Sequence, residues 1–169
     1  VFCSVFLSRT ILQRRMIMPL NIKYVHTNIV AKNWRKLADF YISVFGCKII
    51  PPIRHYTGKE LDSAVKINQA TLSGVHLRLP GYNKSGPTLE IFSYKPSQKK
   101  QNKKVNTPGI THLAFEVSDV RKHFKKIIAN GGKKVGEIIT LKRSDGKKVT
   151  WCYVKDPEGN MIELQKWTN

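Results

Sequence analysis

The chain has 169 residues, 41% of them apolar, with 30 lysines and arginines against 11 acids and a formal net charge of +19. That length suffices for one well-buried domain or two small modules sharing a sheet, and no apolar run reaches the roughly 18 to 20 residues that cross a bilayer. The charge is not the footprint of a specific nucleic-acid reader, because the basic residues are spread along the chain without a zinc finger, a helix-turn-helix or an aromatic platform.

Residues 1–19 stand apart as an N-terminal extension. The stretch VFCSVFLSRTILQRRMIM is basic and apolar without an acid, and its basic residues follow the apolar run, the wrong order for a secretory signal. A transit-like leader, a membrane-surface helix and upstream sequence foreign to the natural product all fit it. Met16 and Met18 could each be a true start, and we expect a dispensable segment without chemistry.

Residues 20–94 read as one module. A strand at 22–30 carries His26 in YVHTNI. Asn33 can cap a helix in which Trp34, Leu37, Ala38, Tyr41 and Phe45 recur at helical spacing, and Gly46 ends it. A strand at 47–51 is expected to stop at Pro51-Pro52, with an irregular segment to about Leu72. Strands at 74–80 and 87–94 flank the turn GYNKSGP, and the second carries Glu90 in TLEIFS. Residues 95–107 contain KPSQKKQNKK, five lysines with no acid and no aromatic, which reads as an exposed linker.

Residues 108–169 repeat the pattern. A strand at 109–117 carries His112 in GITHLAF, and a helix runs from Asp119 to Asn130 before Gly131-Gly132. A strand near 133–139 precedes strands at 148–154 and 160–166, which are joined by the hairpin signal DPEGN. The last of these carries Glu163 in NMIELQ.

The repeat is internal and aligned. His26 and His112 are 86 residues apart, and the same offset maps Asn33 to Asp119 and Gly46 to Gly132. Glu90 and Glu163 are 73 apart, as are Gly86 and Gly159. Each of the four polar residues interrupts a short, largely apolar strand, and a strand alternates its faces, so each points away from the core. Two imidazoles and two carboxylates on a duplicated frame make a nitrogen/oxygen set suited to a divalent transition metal.

Parity also names what shares that face. Asn28 goes with His26, Phe92 with Glu90, and Trp151 and Tyr153 project from the strand beside Glu163. In VHLRLP, Val75, Leu77 and Leu79 should pack under a helix, leaving His76 and Arg78 with the four. Apolar walls with a few convergent polar groups are what small-molecule sites look like. Taken alone, His76 reads as a hydrogen-bonded or exposed side chain rather than a ligand; His55 reads as a loop residue and His123 as helix surface. Three cysteines, Cys3, Cys47 and Cys152, without a C-x-x-C suggest reduced thiols and a cytoplasmic protein.

The motifs VHTNI with FYISVFG, THLAFEV and DPEGNMIEL resemble those of the vicinal oxygen chelate superfamily (glyoxalase, bleomycin resistance and dioxygenase proteins), over about residues 20 to 167. The resemblance implies an α+β fold of two βαβββ modules forming a half-open barrel around one metal. His26, Glu90, His112 and Glu163 would be its ligands, with Zn, Ni, Co, Mn or Fe as the cation. The His-Glu-His-Glu set is most similar to that of glyoxalase I, which implies a metal-dependent lyase or isomerase. Such an enzyme moves a proton on a small substrate with vicinal oxygens, through an enediolate, with Glu163 or Glu90 as general base and Asn28, Arg78, Phe92, Trp151 and Tyr153 around the substrate. Val30 and Tyr94 stand where glyoxalase I typically carries an arginine and an asparagine, so the resemblance does not extend to its glutathione contacts. A small-molecule binding or antibiotic-resistance protein, a coenzyme A thioester epimerase and a dioxygenase are the alternatives on the same fold. A homodimer is expected, without a membrane partner.

Overall fold

The computed structural model describes residues 22–169; the extension assigned to residues 1–19 lies outside them. The elements in chain order are β1 (His26–Val30), α1 (Trp34–Phe45), β2 (Lys48–Thr57), α2 (Lys59–Val65), β3 (Thr71–Arg78) and β4 (Thr88–Lys95), then β5 (His112–Glu116), α3 (Val120–Ala129), β6 (Lys133–Lys134), β7 (Ile139–Lys142), β8 (Lys148–Lys155) and β9 (Met161–Thr168). The fold is α+β. The first sheet runs β1-β4-β3-β2 and the second β5-β9-β8, with β6 and β7 both paired to β8. Neither sheet closes, and together they are the βαβββ modules of a half-open barrel.

Local chemistry accounts for the helices. Asn33 and Asp119 accept from the backbone N–H groups of Lys36 and Lys122, 3.1 and 2.9 Å away, so each helix begins on a side-chain cap. Gly46 ends α1 in the left-handed conformation at φ 74°. The inner stripe of α1 buries Trp34, Leu37, Ala38, Phe40, Tyr41 and Val44. Val75, Leu77, Leu89 and Ile91 meet it from the first sheet, and Cys152, Val154, Ile162 and Leu164 continue the same core from the second. Burying each large aliphatic side chain contributes about 1.5–3 kcal/mol.

The two modules are bolted together through their helices and one loop. Phe45 stacks on Phe115 with ring centroids 4.0 Å apart, and Lys126 Nζ donates to the Val44 carbonyl. In the DPEGN loop, Glu158 accepts from the backbone N–H groups of Lys32 and Asn33 at 2.7 and 2.8 Å, just ahead of α1. Asp156, fully buried, accepts from Tyr41, Asn160 and the backbone N–H of Glu158.

Three expectations need correction. The strand starting near residue 47 does not stop at Pro51-Pro52: β2 continues to Thr57, and its pairing with β3 shifts register between Ile50 and Arg54, where the prolines fall. Proline cannot donate to a ladder, but β2 is an edge strand and tolerates the break. The segment up to Leu72 is not irregular, since it holds the rest of β2, the start of β3 and α2. Glu60 and Asp62 sit in the first turn of α2, and Asp62 also accepts from the backbone of Gln69 and Ala70, which folds the chain back toward β3. His55 therefore lies in a strand, bonded to Ser73, not in a loop. Finally, the strand near 133–139 is split into β6 and β7, because Val135 and Gly136 both donate to the Tyr153 carbonyl and form a bulge.

Candidate functional site

Strand pairing positions the site. β1 lies parallel to β4 with Asn28 opposite Glu90, and β3 lies antiparallel to β4 with His76 opposite Glu90. The Glu90 carboxylate therefore sits between two strands that each offer it a nitrogen. His26 Nε2 stands 3.1 Å from Glu90 Oε2, and His76 Nε2 stands 2.6 Å from Oε1. Asn28 Nδ2 donates to Oε2 at 3.3 Å, and the Thr88 hydroxyl lies 3.4 Å from His76 Nδ1. The imidazoles of His26 and His76 meet edge to face, and Phe92 closes on His76 in the same manner. Gly74 makes room for that ring: a Cβ there would fall 2.2 Å from the Ile91 carbonyl oxygen and 2.3 Å from Phe92.

The second module repeats the arrangement with different partners. β5 lies parallel to β9, with Ala114 opposite Glu163, and Tyr153 of β8 faces Glu163 from the other side. His112 Nε2 is 3.2 Å from Glu163 Oε2, and the Thr111 hydroxyl is 2.9 Å from His112 Nδ1. The rings of Trp151, Tyr153 and His112 form a continuous wall, with successive centroids 5.0 and 5.2 Å apart.

Burial sets the electrostatics. It lowers the His76 pKa from its ordinary value; Glu90 opposes that lowering, while Arg54 and His26 add to it. The Tyr153 hydroxyl is raised, first by burial and then by the charge of Glu163 and a hydrogen bond to it. Tyr153 therefore keeps its proton, directly across the strand pair from Glu163.

Of the residues singled out in the sequence, the structure brings His26, Asn28 and Phe92 together around Glu90, and Trp151, Tyr153 and His112 around Glu163. Arg78 is on the same strand as His76, two residues on, and its Nε is buried without a hydrogen-bond partner among the described residues. His76 is the member whose partner sequence reasoning did not name. Parity put it on the right face, but only the register of the β3–β4 hairpin sets it opposite Glu90.

Each pair suits a cation. Two ligands at right angles, about 2.1 Å from one metal, stand about 3.0 Å apart, close to the 3.1 and 3.2 Å separations of the two histidine–glutamate pairs. Among the described residues, however, no group of three or more histidines, cysteines, aspartates or glutamates is arranged to hold a metal ion. One chain thus presents two half-sites, and the four are not gathered at a point. A cavity of about 440 Å³ is lined by Asn28 and Val30 of β1, His112 of β5, Ile110, and Lys100 and Lys103 of the linker, so that His112 alone of the four reaches it. Among the described residues no helix is long and apolar enough to cross a membrane.

Comparison with known proteins bears on the fold. No curated protein matches the chain. A glyoxalase family protein from Bacillus cereus superposes with a TM-score of 0.70 at 15% identity, covering 92% of this chain and 99% of that one. A glyoxalase/bleomycin resistance protein/dioxygenase family enzyme from Burkholderia phytofirmans gives 0.51 at 16% identity, with 83% and 95% covered. A glyoxalase family protein from Enterococcus faecalis gives 0.50 at 22%, with 85% and 95% covered. At these identities the structures show a shared fold. The family model of the Glyoxalase/Bleomycin resistance protein/Dioxygenase superfamily matches residues 23–164, and the chain belongs to that superfamily.

Proposed function

We propose that the protein is a metal-dependent lyase or isomerase that moves a proton on a small substrate bearing vicinal oxygens. One observation carries this reading. At equivalent places in a duplicated frame, a histidine Nε2 faces the carboxylate of its own module at 3.1 and 3.2 Å, and His112 also lines a cavity. His26, Glu90, His112 and Glu163 would hold a divalent cation, and Zn, Ni, Co, Mn and Fe all accept imidazole and carboxylate. When bound, such a cation supplies a Lewis acid for the substrate's oxygens.

The chain's own residues supply the rest. Glu163 or Glu90, released from its imidazole, takes the proton beside the carbonyl, and the substrate passes through an enediolate before the proton returns to the neighbouring carbon. Trp151, Tyr153 and Phe92 exclude water. Arg78, Lys100 and Lys103 favour a substrate with an anionic group. A homodimer belongs to this reading, because the half-sites are open and a second copy could complete each.

The test is elemental analysis of the wild type beside Glu90→Gln and Glu163→Gln. About one divalent metal per chain or per site, lower in both variants, supports the reading. A wild type that is metal-free and cannot be loaded overturns it in favour of a small-molecule binding protein on the same fold.

A further inference from the structure

From the geometry around Glu90 we infer that His76 is a positioning residue: it holds one oxygen of Glu90 and so turns the other toward a cation. The inference rests on the metal-site reading and adds a residue that the four-member set does not contain.

The reasoning starts with the two oxygens of Glu90. Oε1 lies 2.6 Å from His76 Nε2, whereas Oε2 lies 3.1 Å from His26 Nε2 and 3.3 Å from Asn28 Nδ2. The shorter contact belongs to His76, and its imidazole is the less exposed of the two, 20% against 40% for His26. The Thr88 hydroxyl faces His76 Nδ1, and by donating to it leaves the ring proton on Nε2, where Glu90 Oε1 accepts it. Phe92, packed edge-on against the ring and held over Gly74, fixes the plane of the imidazole.

A carboxylate with its shortest contact on one oxygen is turned to meet a cation with the other, which carries only the longer contacts at 3.1 and 3.3 Å. Partners of this kind orient the ligand and raise its basicity, and losing one typically costs about 10–100-fold in metal affinity. Module two has no imidazole at the matching position, where Tyr153 stands instead, so engagement by a second imidazole is particular to Glu90.

The experiment is titration of the full-length, metal-stripped protein with Co²⁺ alone, with X-ray absorption counting imidazoles around the bound ion. Wild type, His76→Phe, His76→Gln and the ligand control His26→Ala are compared, each checked for folding by circular dichroism. The expected result is a Co²⁺ affinity about 10–100-fold weaker in His76→Phe, with the imidazole count unchanged. His76→Gln, which keeps a donor, should recover most of that affinity. Unchanged affinity in a folded His76→Phe overturns the inference. So does a count that drops by one, which would make His76 a ligand. If His76→Phe fails to fold, His76→Ala takes its place: weaker affinity with an unchanged imidazole count supports the inference, and unchanged affinity overturns it. A wild type that takes no Co²⁺ overturns the metal-site reading itself, and is told apart by the wild-type titration alone.

Discussion

His76 and Tyr153 occupy matching places in the two modules: each lies directly across an antiparallel strand pair from the glutamate of its module, His76 opposite Glu90 and Tyr153 opposite Glu163. The neighbours on the other side differ as well, Asn28 for Glu90 and Ala114 for Glu163. The duplicated frame is therefore chemically unequal. Glu90 is engaged by two imidazoles and an amide, whereas Glu163 has one imidazole and a phenol.

That inequality makes Tyr153→Phe informative. The phenol is half-exposed, so the change in folding stability should stay within about 1 kcal/mol. Loss of the phenol that stands across from Glu163 should weaken binding of a divalent metal by about 10–100-fold. Metal titration beside thermal melting checks this. Equal affinities would reduce Tyr153 to a wall of the cavity.

The bond between Tyr41 and Asp156, 115 residues apart in sequence and 3.1 Å apart in space, ties the first helix to the last hairpin. Tyr41→Phe removes one donor from a buried carboxylate and should cost about 1–3 kcal/mol. Asp156→Ala should cost more, because Tyr41, the Asn160 amide and two backbone N–H groups all lose their acceptor. Calorimetry should show melting temperatures falling in that order, Tyr41→Phe by about 2–8 °C. Wild-type melting of the alanine variant would show that the loop contributes no stability.

Cys47 and Cys152 are both buried, and burial pushes their thiols from an ordinary 9.0 up to about 11. At pH 8 only about 0.1% of each would be thiolate. In a Cys3→Ser background, a thiol reagent should therefore label neither residue until the chain unfolds. The sign of the linkage follows. Between pH 9 and 11 the unfolded chain has already lost these protons and the folded chain has kept them, so folding stability should decline across that window. Double replacement by alanine should flatten the decline, and denaturant titrations at pH 8 and 10 measure it. Rapid labelling of the native protein would contradict the burial of both thiols.

Much of the site's frame was legible in the chain. Alternation of apolar and polar residues decides which face of a strand meets the core, and Val75, Leu77, Ile162 and Leu164 are fully buried as that period requires. The offsets of 86 and 73 residues reappear as register: His26 lies opposite Thr88 and His112 opposite Met161, which are the same pairings one repeat apart. The caps Asn33 and Asp119 were equally readable, because capping depends on residues only three positions away.

What the sequence determined by itself was thus local: the periodicities, the helix caps, the duplicated strands and the face that carries His26, Glu90, His112 and Glu163. Only tertiary structure decided what distant strands do to one another. It carried β2 past Pro51-Pro52, because an edge strand can lose a donor without losing its other partners. It made the DPEGN hairpin turn a joint between the modules as well, with Asp156 buried and Glu158 bonded ahead of α1. It also set His76 against Glu90 and left the two histidine–glutamate pairs as separate half-sites. Side-chain period is a property of one strand. Register, edges and the spacing between sheets belong to pairs of strands brought together by packing, and no single segment contains them.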